Sequence, residues 1–207
     1  MSATIEFIFD FGSPNAYLAY RALPPILART GAALVVTPCL LGGIFKATGN
    51  QPPTIAFAPI KGKFEYEMLE IRRFVARHRL GKFRMNPHFP VNTLMLMRGL
   101  VAAREAGVEA AYLEMGLEGM WEEGLKLDDR ETLARRVDAA GLDSASLLAA
   151  AQTEPVKQKL ADNTAQAVAR GVFGVPTFFV GGEMFFGKDR LGQVEEAVEA
   201  EAAGVAS

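Results

Sequence analysis

Cysteine is almost missing from this chain: of 207 residues, only Cys39 carries a thiol. One thiol cannot form an intramolecular disulfide, a CxxC redox pair or a cysteine-rich zinc site. Histidine is scarce as well. His78 and His88 are the two present, they lack metal-ligand spacing, and both read as structural. Neither sign of charge dominates, with 22 Lys and Arg against 24 Asp and Glu, which argues against a nucleic-acid partner. No apolar run approaches the roughly 18 residues of a membrane helix. The first residues, MSATIEFIFDFGSP, show neither the basic region nor the apolar stretch of a signal peptide. A single cysteine is compatible with a reducing compartment, so a cytoplasmic location without membrane contact is expected. Half of the residues are apolar, enough to bury one domain or a domain carrying a sizeable insertion.

The order of elements is legible from hydrophobic period and turn residues. Thr4 to Phe11 alternates as a strand, with Ile5, Phe7, Phe9 and Phe11 on one face. Gly12-Ser13-Pro14 ends it, and helical spacing follows from Asn15 to Arg29, to be kinked or split by Pro24-Pro25. Ala33 to Pro38 reads as a second strand, and residues 39–53 as a glycine-rich loop. Helices are expected over about 54–79, with Phe64, Met68, Ile71, Phe74 and Val75 on one face, then 92–105, 109–123, 129–140 and 144–170. Asp128 with Glu131 resembles a capping box. Val175 to Val180 reads as a strand, Gly181-Gly182 as a hairpin turn, Glu183 to Phe186 as its partner, and Asp189 to Ala202 as a last helix. The sequence βαβ, then helices, then ββα predicts an α/β thioredoxin-like fold, about residues 1–50 and 171–207, with a large all-helical insertion over about 54–170.

Three constellations carry chemistry. Ser13-Pro14 is a helix start: Ser caps and Pro fits the first helical position. The same hydroxyl would lie where a strand runs into a helix, beside free N–H groups and a helix dipole that favour an anion such as a thiolate. Gly174-Val175-Pro176-Thr177 is either a plain strand start or a cis-proline turn whose preceding residue offers its backbone to an extended peptide. Phe186-Gly187-Lys188-Asp189-Arg190 begins the last helix; Asp189 caps it or accepts from a ligand ammonium. Lys46 is a surface lysine or a charge aimed at a carboxylate. Asn50 and Asn92 have the types of turn and cap residues. Cys39 and Trp121 read as core, and Glu122-Glu123 as a solvated pair.

Phe9 to Ala19 (FDFGSPNAYLA), Leu40 to Asn50 (LLGGIFKATGN) and Gly171 to Leu191 (GVFGVPTFFVGGEMFFGKDRL) resemble the 2-hydroxychromene-2-carboxylate isomerases of the DsbA-like group, which also holds the kappa-class glutathione transferases. The likeness runs from about residue 4 to residue 196. It implies a homodimer with glutathione as cofactor. By the resemblance, Ser13 matches the serine at the glutathione sulfur, and Val175 the residue that pairs with the glutathione backbone before Pro176. Phe186, Gly187, Lys188 and Asp189 match the γ-glutamyl segment, and Lys46 a substrate-side lysine, with Asn50 and Asn92 as further substrate-side candidates. Phe186 stands where many members carry Trp, and Lys188 where Gln or Asn is common. The implied reaction is isomerisation of 2-hydroxychromene-2-carboxylate, or a related aromatic-catabolite acid, to trans-o-hydroxybenzylidenepyruvate by reversible thiolate addition. The alternative is a kappa-type transferase that conjugates electrophiles. A thiol–disulfide oxidoreductase is disfavoured because Ser13 and Ala16 occupy both positions of a CxxC.

Overall fold

In the computed structural model, which describes residues 3–204, strand β1 (Thr4–Phe9) has neighbours on both edges. It pairs in parallel with β2 (Ala33–Pro38), Thr4 opposite Ala33 and Phe9 opposite Pro38. On its other edge it pairs antiparallel with β3 (Thr177–Val180), Phe7 opposite Phe178. Strand β4 (Glu183–Phe186) completes the order β2-β1-β3-β4. Ile5, Phe7, Ile8 and Phe9 are all fully buried, so the strand is covered on both faces. The expected continuation to Phe11 fails because Ser13 N–H turns back onto the Asp10 carbonyl at 3.2 Å.

The parallel pair needs a crossover. Helices α1 (Pro14–Ala22) and α2 (Pro24–Thr30) supply it, divided at the Pro24-Pro25 step and closed by Gly31 at φ 67. The stretch expected as a glycine-rich loop is instead helix α3 (Leu41–Thr48). Gly42 and Gly43 weaken its helical signal, but Gly43 is needed for approach: a Cβ there would meet Thr164 Cγ2 at 3.1 Å. The helical part continues with α4 (Pro53–Ala56), α5 (Lys63–His78), α6 (Leu94–Glu105), α7 (Glu109–Trp121), α8 (Arg130–Ala139), α9 (Ser144–Ala150) and α10 (Glu154–Ala169). What reads as one helix over 144–170 is two, because Pro155 sits in the first turn of α10 and Thr153 precedes it in extended conformation. The cap of α8 is Asp129, whose carboxylate takes the Thr132 N–H at 2.8 Å, and not Asp128. On α5, Ile71 and Phe74 are buried, whereas Phe64 projects beyond the core at 46 % exposed.

Strand β3 begins two residues later than expected. The hairpin turn places Gly181 at φ 56 and Gly182 at φ 92. A short 3-10 turn, Lys188–Arg190, precedes the last helix, α11 (Leu191–Ala202). This is a thioredoxin-like fold, a mixed four-stranded sheet with a helical insertion. The outer ends of the expected unit, residues 1–2 and 205–207, lie outside the described residues. Helix α10 packs on α3 and α6, and α6 on α7, which joins the insertion to the sheet. Trp121 is fully buried, as expected for core, and its Nε1 donates to the Phe11 carbonyl at 2.8 Å.

Two glycines with opposite surroundings test this packing. At Gly116 a Cβ would lie 2.4 Å from Phe11 Cε1, while nothing lies within 4 Å of one at Gly42. Gly116→Ala should lower stability by about 1–3 kcal/mol through overpacking. Gly42→Ala should raise it by about 0.5–1 kcal/mol by favouring the helix. Denaturant unfolding of both variants checks this, and equal midpoints would contradict the packing described.

Candidate functional site

Ser13 stands between β1 and α1 in the extended conformation of an N-cap (φ −101, ψ 115), with Pro14 as the first helical residue. Its Oγ accepts the Ala16 N–H at 3.2 Å. The hydroxyl proton goes elsewhere: it is donated to the Val175 carbonyl at 3.1 Å, across 162 residues of chain. Ser13 is therefore both a cap and a reach across the fold, and at 5 % exposed it is nearly buried.

The partner segment is built to meet it. The Val175–Pro176 peptide is cis, and both residues lie just before β3. Thr177 Oγ1 donates to the Gly174 carbonyl at 2.8 Å, and the Gly187 N–H donates to the Pro176 carbonyl at 2.9 Å. No hydrogen bond from the Val175 N–H is found among the described residues. Phe186 pairs with Thr177 across the hairpin, and its ring rests on Phe173 at 4.4 Å. That ring also covers Gly174, where a Cβ would meet it at 3.0 Å. Gly187, at φ 95, turns the chain into the 3-10 segment that packs beside α1. Ser13, Val175, Pro176, Phe186 and Gly187 are thus linked through direct contacts.

Lys188 and Asp189 form a pair of their own. Lys188 Nζ donates to both Asp189 oxygens, at 2.8 and 2.9 Å. Its ammonium sits 5.1 Å from the centre of the Phe74 ring on α5. Lys188 is buried to 4 % exposure, whereas the Asp189 side chain is 60 % exposed. Asp189 therefore keeps lone pairs open to solvent, with its charge already balanced.

The expected acceptor-side residues lie farther out. Lys46 is exposed in the last turn of α3, and Asn50 is exposed just past its end. Asn92 precedes α6, where its side-chain oxygen accepts the Leu94 N–H at 3.0 Å, as a turn residue does. None of the three has a hydrogen bond to Ser13 or Val175 among the described residues. Sequence reasoning missed what relates them. Asp10, 1 % exposed, accepts the Gly12 N–H at 2.8 Å and the Thr93 hydroxyl at 2.7 Å through Oδ1, and the Leu41 N–H at 2.7 Å through Oδ2. Burial raises its pKa, and the three donors act against that rise. The available signal was a carboxylate set between Phe9 and Phe11 at the end of an apolar strand. Cys39 is fully buried at the end of β2, its thiol pushed up to about 12 by burial and by the Asp10 and Glu6 charges.

Comparison with known proteins identifies the family of the chain. The family described as DSBA-like thioredoxin domain matches residues 4–199. A 2-hydroxychromene-2-carboxylate isomerase of Sphingobium xenophagum is 30 % identical over 203 residues, covering 94 % of this chain and 97 % of the relative. Glutathione S-transferase kappa 1 of Rattus norvegicus is 29 % identical over 199 residues, covering 90 % and 87 %. A solved structure of a 2-hydroxychromene-2-carboxylate isomerase superposes with a TM-score of 0.82 at 26 % identity, covering 99 % of this chain and all of that one. The chain belongs to the DsbA-like thioredoxin-domain family, in the company of 2-hydroxychromene-2-carboxylate isomerases and kappa-class glutathione transferases.

The anion-favouring character of the Ser13 position can be read with a thiol placed there. In Ser13→Cys, the helix N-terminus should bring the new thiol below the free value of about 8.5. Cys39 should stay unmodified in the folded protein because it is buried and its pKa is about 12. The pH dependence of alkylation, with one thiol modified per chain, measures this. A new thiol that titrates at or above the free value would contradict the description of the site.

Proposed function

We propose that this chain is a glutathione-dependent enzyme that isomerises 2-hydroxychromene-2-carboxylate or a related aromatic acid. One observation carries the reading: the buried Ser13 hydroxyl, at the N-terminus of α1, faces the carbonyl of Val175 beside cis-Pro176. The residues fit a γ-glutamyl tripeptide. Among the described residues, Val175 has an N–H without a partner and a carbonyl whose only donor is a rotatable hydroxyl. That is the edge an extended peptide backbone pairs with.

When bound, glutathione supplies the thiolate that adds reversibly to the conjugated acid and so frees a C=C bond to rotate. Each remaining task falls to the chain. Ser13 turns its hydroxyl proton from Val175 toward the sulfur and lowers the thiol pKa without itself becoming a nucleophile. The α1 N-terminus adds its dipole to the same effect. Val175 and Pro176 fix the peptide, and Phe186, Gly187, Lys188 and Asp189 flank its γ-glutamyl end. Lys46 on α3 supplies a cation for the acid's carboxylate, and Asn50 and Asn92 are further candidates for contact with the acid. The relatives named glutathione S-transferase kappa support a second reading, in which the same thiolate conjugates an electrophile.

Replacing one preorganised donor to a developing anion typically costs about 100-fold in kcat or more. Ser13→Ala should therefore lose about that much glutathione-dependent isomerisation while unfolding as cooperatively as the parent. Near-normal turnover in that variant would remove the mechanism. Product analysis separates the two readings: steady conjugate from an aryl halide with no isomerised acid would favour the transferase. Lys46→Met should raise KM for the acid far more than it changes glutathione affinity, and an unchanged KM would take Lys46 out of the site.

A further inference from the structure

We infer that Asp10 is a positioning residue, whose buried carboxylate sets the spacing between the Ser13 turn and the two helices that carry the acceptor-side residues. The acceptor-side role of these residues rests on the function proposed above, but the junction itself does not. Three segments distant in sequence end on this one side chain. Gly12 belongs to the turn before α1, Leu41 is the first residue of α3, and Thr93 immediately precedes α6. The Asp10 backbone joins in, since its carbonyl accepts the Ser13 N–H.

At both distant helices the N-cap residue itself makes no side-chain capping bond. Leu40, before α3, has no capping group, and the Thr93 hydroxyl, which would cap α6, is directed to Asp10 instead. Helices α8 and α9 are capped in the ordinary local way. Asp129 and Asp143 each accept an N–H three residues on, and both are exposed. Asp10 does comparable work from inside the protein and across long loops. Among the described residues no cation hydrogen-bonds to it, so the buried carboxyl group is held by three dipolar donors. The junction is also closed to other shapes. A Cβ on Gly12 would lie 3.3 Å from both Asp10 Oδ1 and Thr93 Cγ2.

The consequence is a fixed relation between two halves of one reaction. Ser13, where the thiolate is to be held, lies three residues beyond Asp10. Lys46 and Asn50 follow from the start of α3, and Asn92 is adjacent to Thr93. Loosening the junction would leave the thiolate and its target each bound, but out of line. Misplacement on the scale of an ångström is enough to cost about 100-fold in rate.

The test is Asp10→Asn, which keeps the shape and replaces one acceptor by a donor, with Thr93→Val and Thr93→Ser as a second pair. In the full chain, with glutathione and 2-hydroxychromene-2-carboxylate as probes, Asp10→Asn should lower kcat by about 100-fold while glutathione affinity stays unchanged. Thr93→Val should move kcat in the same direction, and Thr93→Ser, which keeps the hydroxyl, should restore it. Loss of glutathione affinity in step with kcat, or equal effects of Val and Ser at 93, would overturn the inference. If the parent does not isomerise this acid, the proposed function fails, and the junction is judged by amide hydrogen exchange instead. Exchange at Gly12, at Leu41 and in the first turn of α6 should then rise together in Asp10→Asn, with α8 and α9 unchanged. Unaltered exchange at any of those three places, or collapse of the whole fold in both Asp10→Asn and Thr93→Val, overturns it.

Discussion

Strand β1 is hydrogen-bonded along both edges and buried on both faces, and every functional element takes its place from that constraint. Phe7 lies against Phe178 at 4.9 Å and near Phe9 at 5.5 Å, so the strand cannot shift register without moving its neighbours. A strand fixed in this way fixes where its chain emerges. It emerges at Asp10, turns through Gly12, and presents Ser13 at the head of α1. On the antiparallel side, β3 is held in the same register, so Val175 and Pro176 arrive opposite that serine. The 3.1 Å bond between them is the outcome of two strand pairings rather than of local sequence.

From this geometry the chemistry follows with few parts. A hydroxyl that both caps a helix and donates to a carbonyl can exchange its acceptor at little cost, because only a proton rotates. On the proposed function, the carbonyl it leaves and the Val175 N–H, which has no partner among the described residues, form a short edge for an extended peptide. Each pKa unit by which a bound thiol is lowered corresponds to about 1.4 kcal/mol of preference for the thiolate. One hydroxyl and a helix terminus are of the right size to supply one or two such units. On the proposed function the chain needs no reactive sulfur of its own, and Cys39 is held far from reactivity by burial.

Much of this was legible in the sequence, and the gaps have physical causes. Strand β2 and the β3–β4 hairpin stand out because alternation and paired glycines are short-range signals. The three motifs also identified the family. Helix α3 was hidden because Gly42 and Gly43 depress helical propensity, while its stability comes from packing against Thr164 and from a cap supplied 31 residues away. Asp128 looked like a cap because it is one residue from the true one, and such boundaries depend on backbone geometry. The Lys188–Asp189 pair and the Asp10 junction were illegible for a different reason. Both depend on which charge is buried and what faces it, and neither is local information.

The central claim is that Ser13 stabilises the thiolate of bound glutathione. The most direct measurement is a pH titration of the ultraviolet thiolate absorbance of glutathione bound to the parent and to Ser13→Ala. The account predicts a bound-thiol pKa below the free value of about 8.5 in the parent and a return toward it in the variant. Identical titrations in the two proteins, or a bound thiol no more acidic than free glutathione, would contradict it.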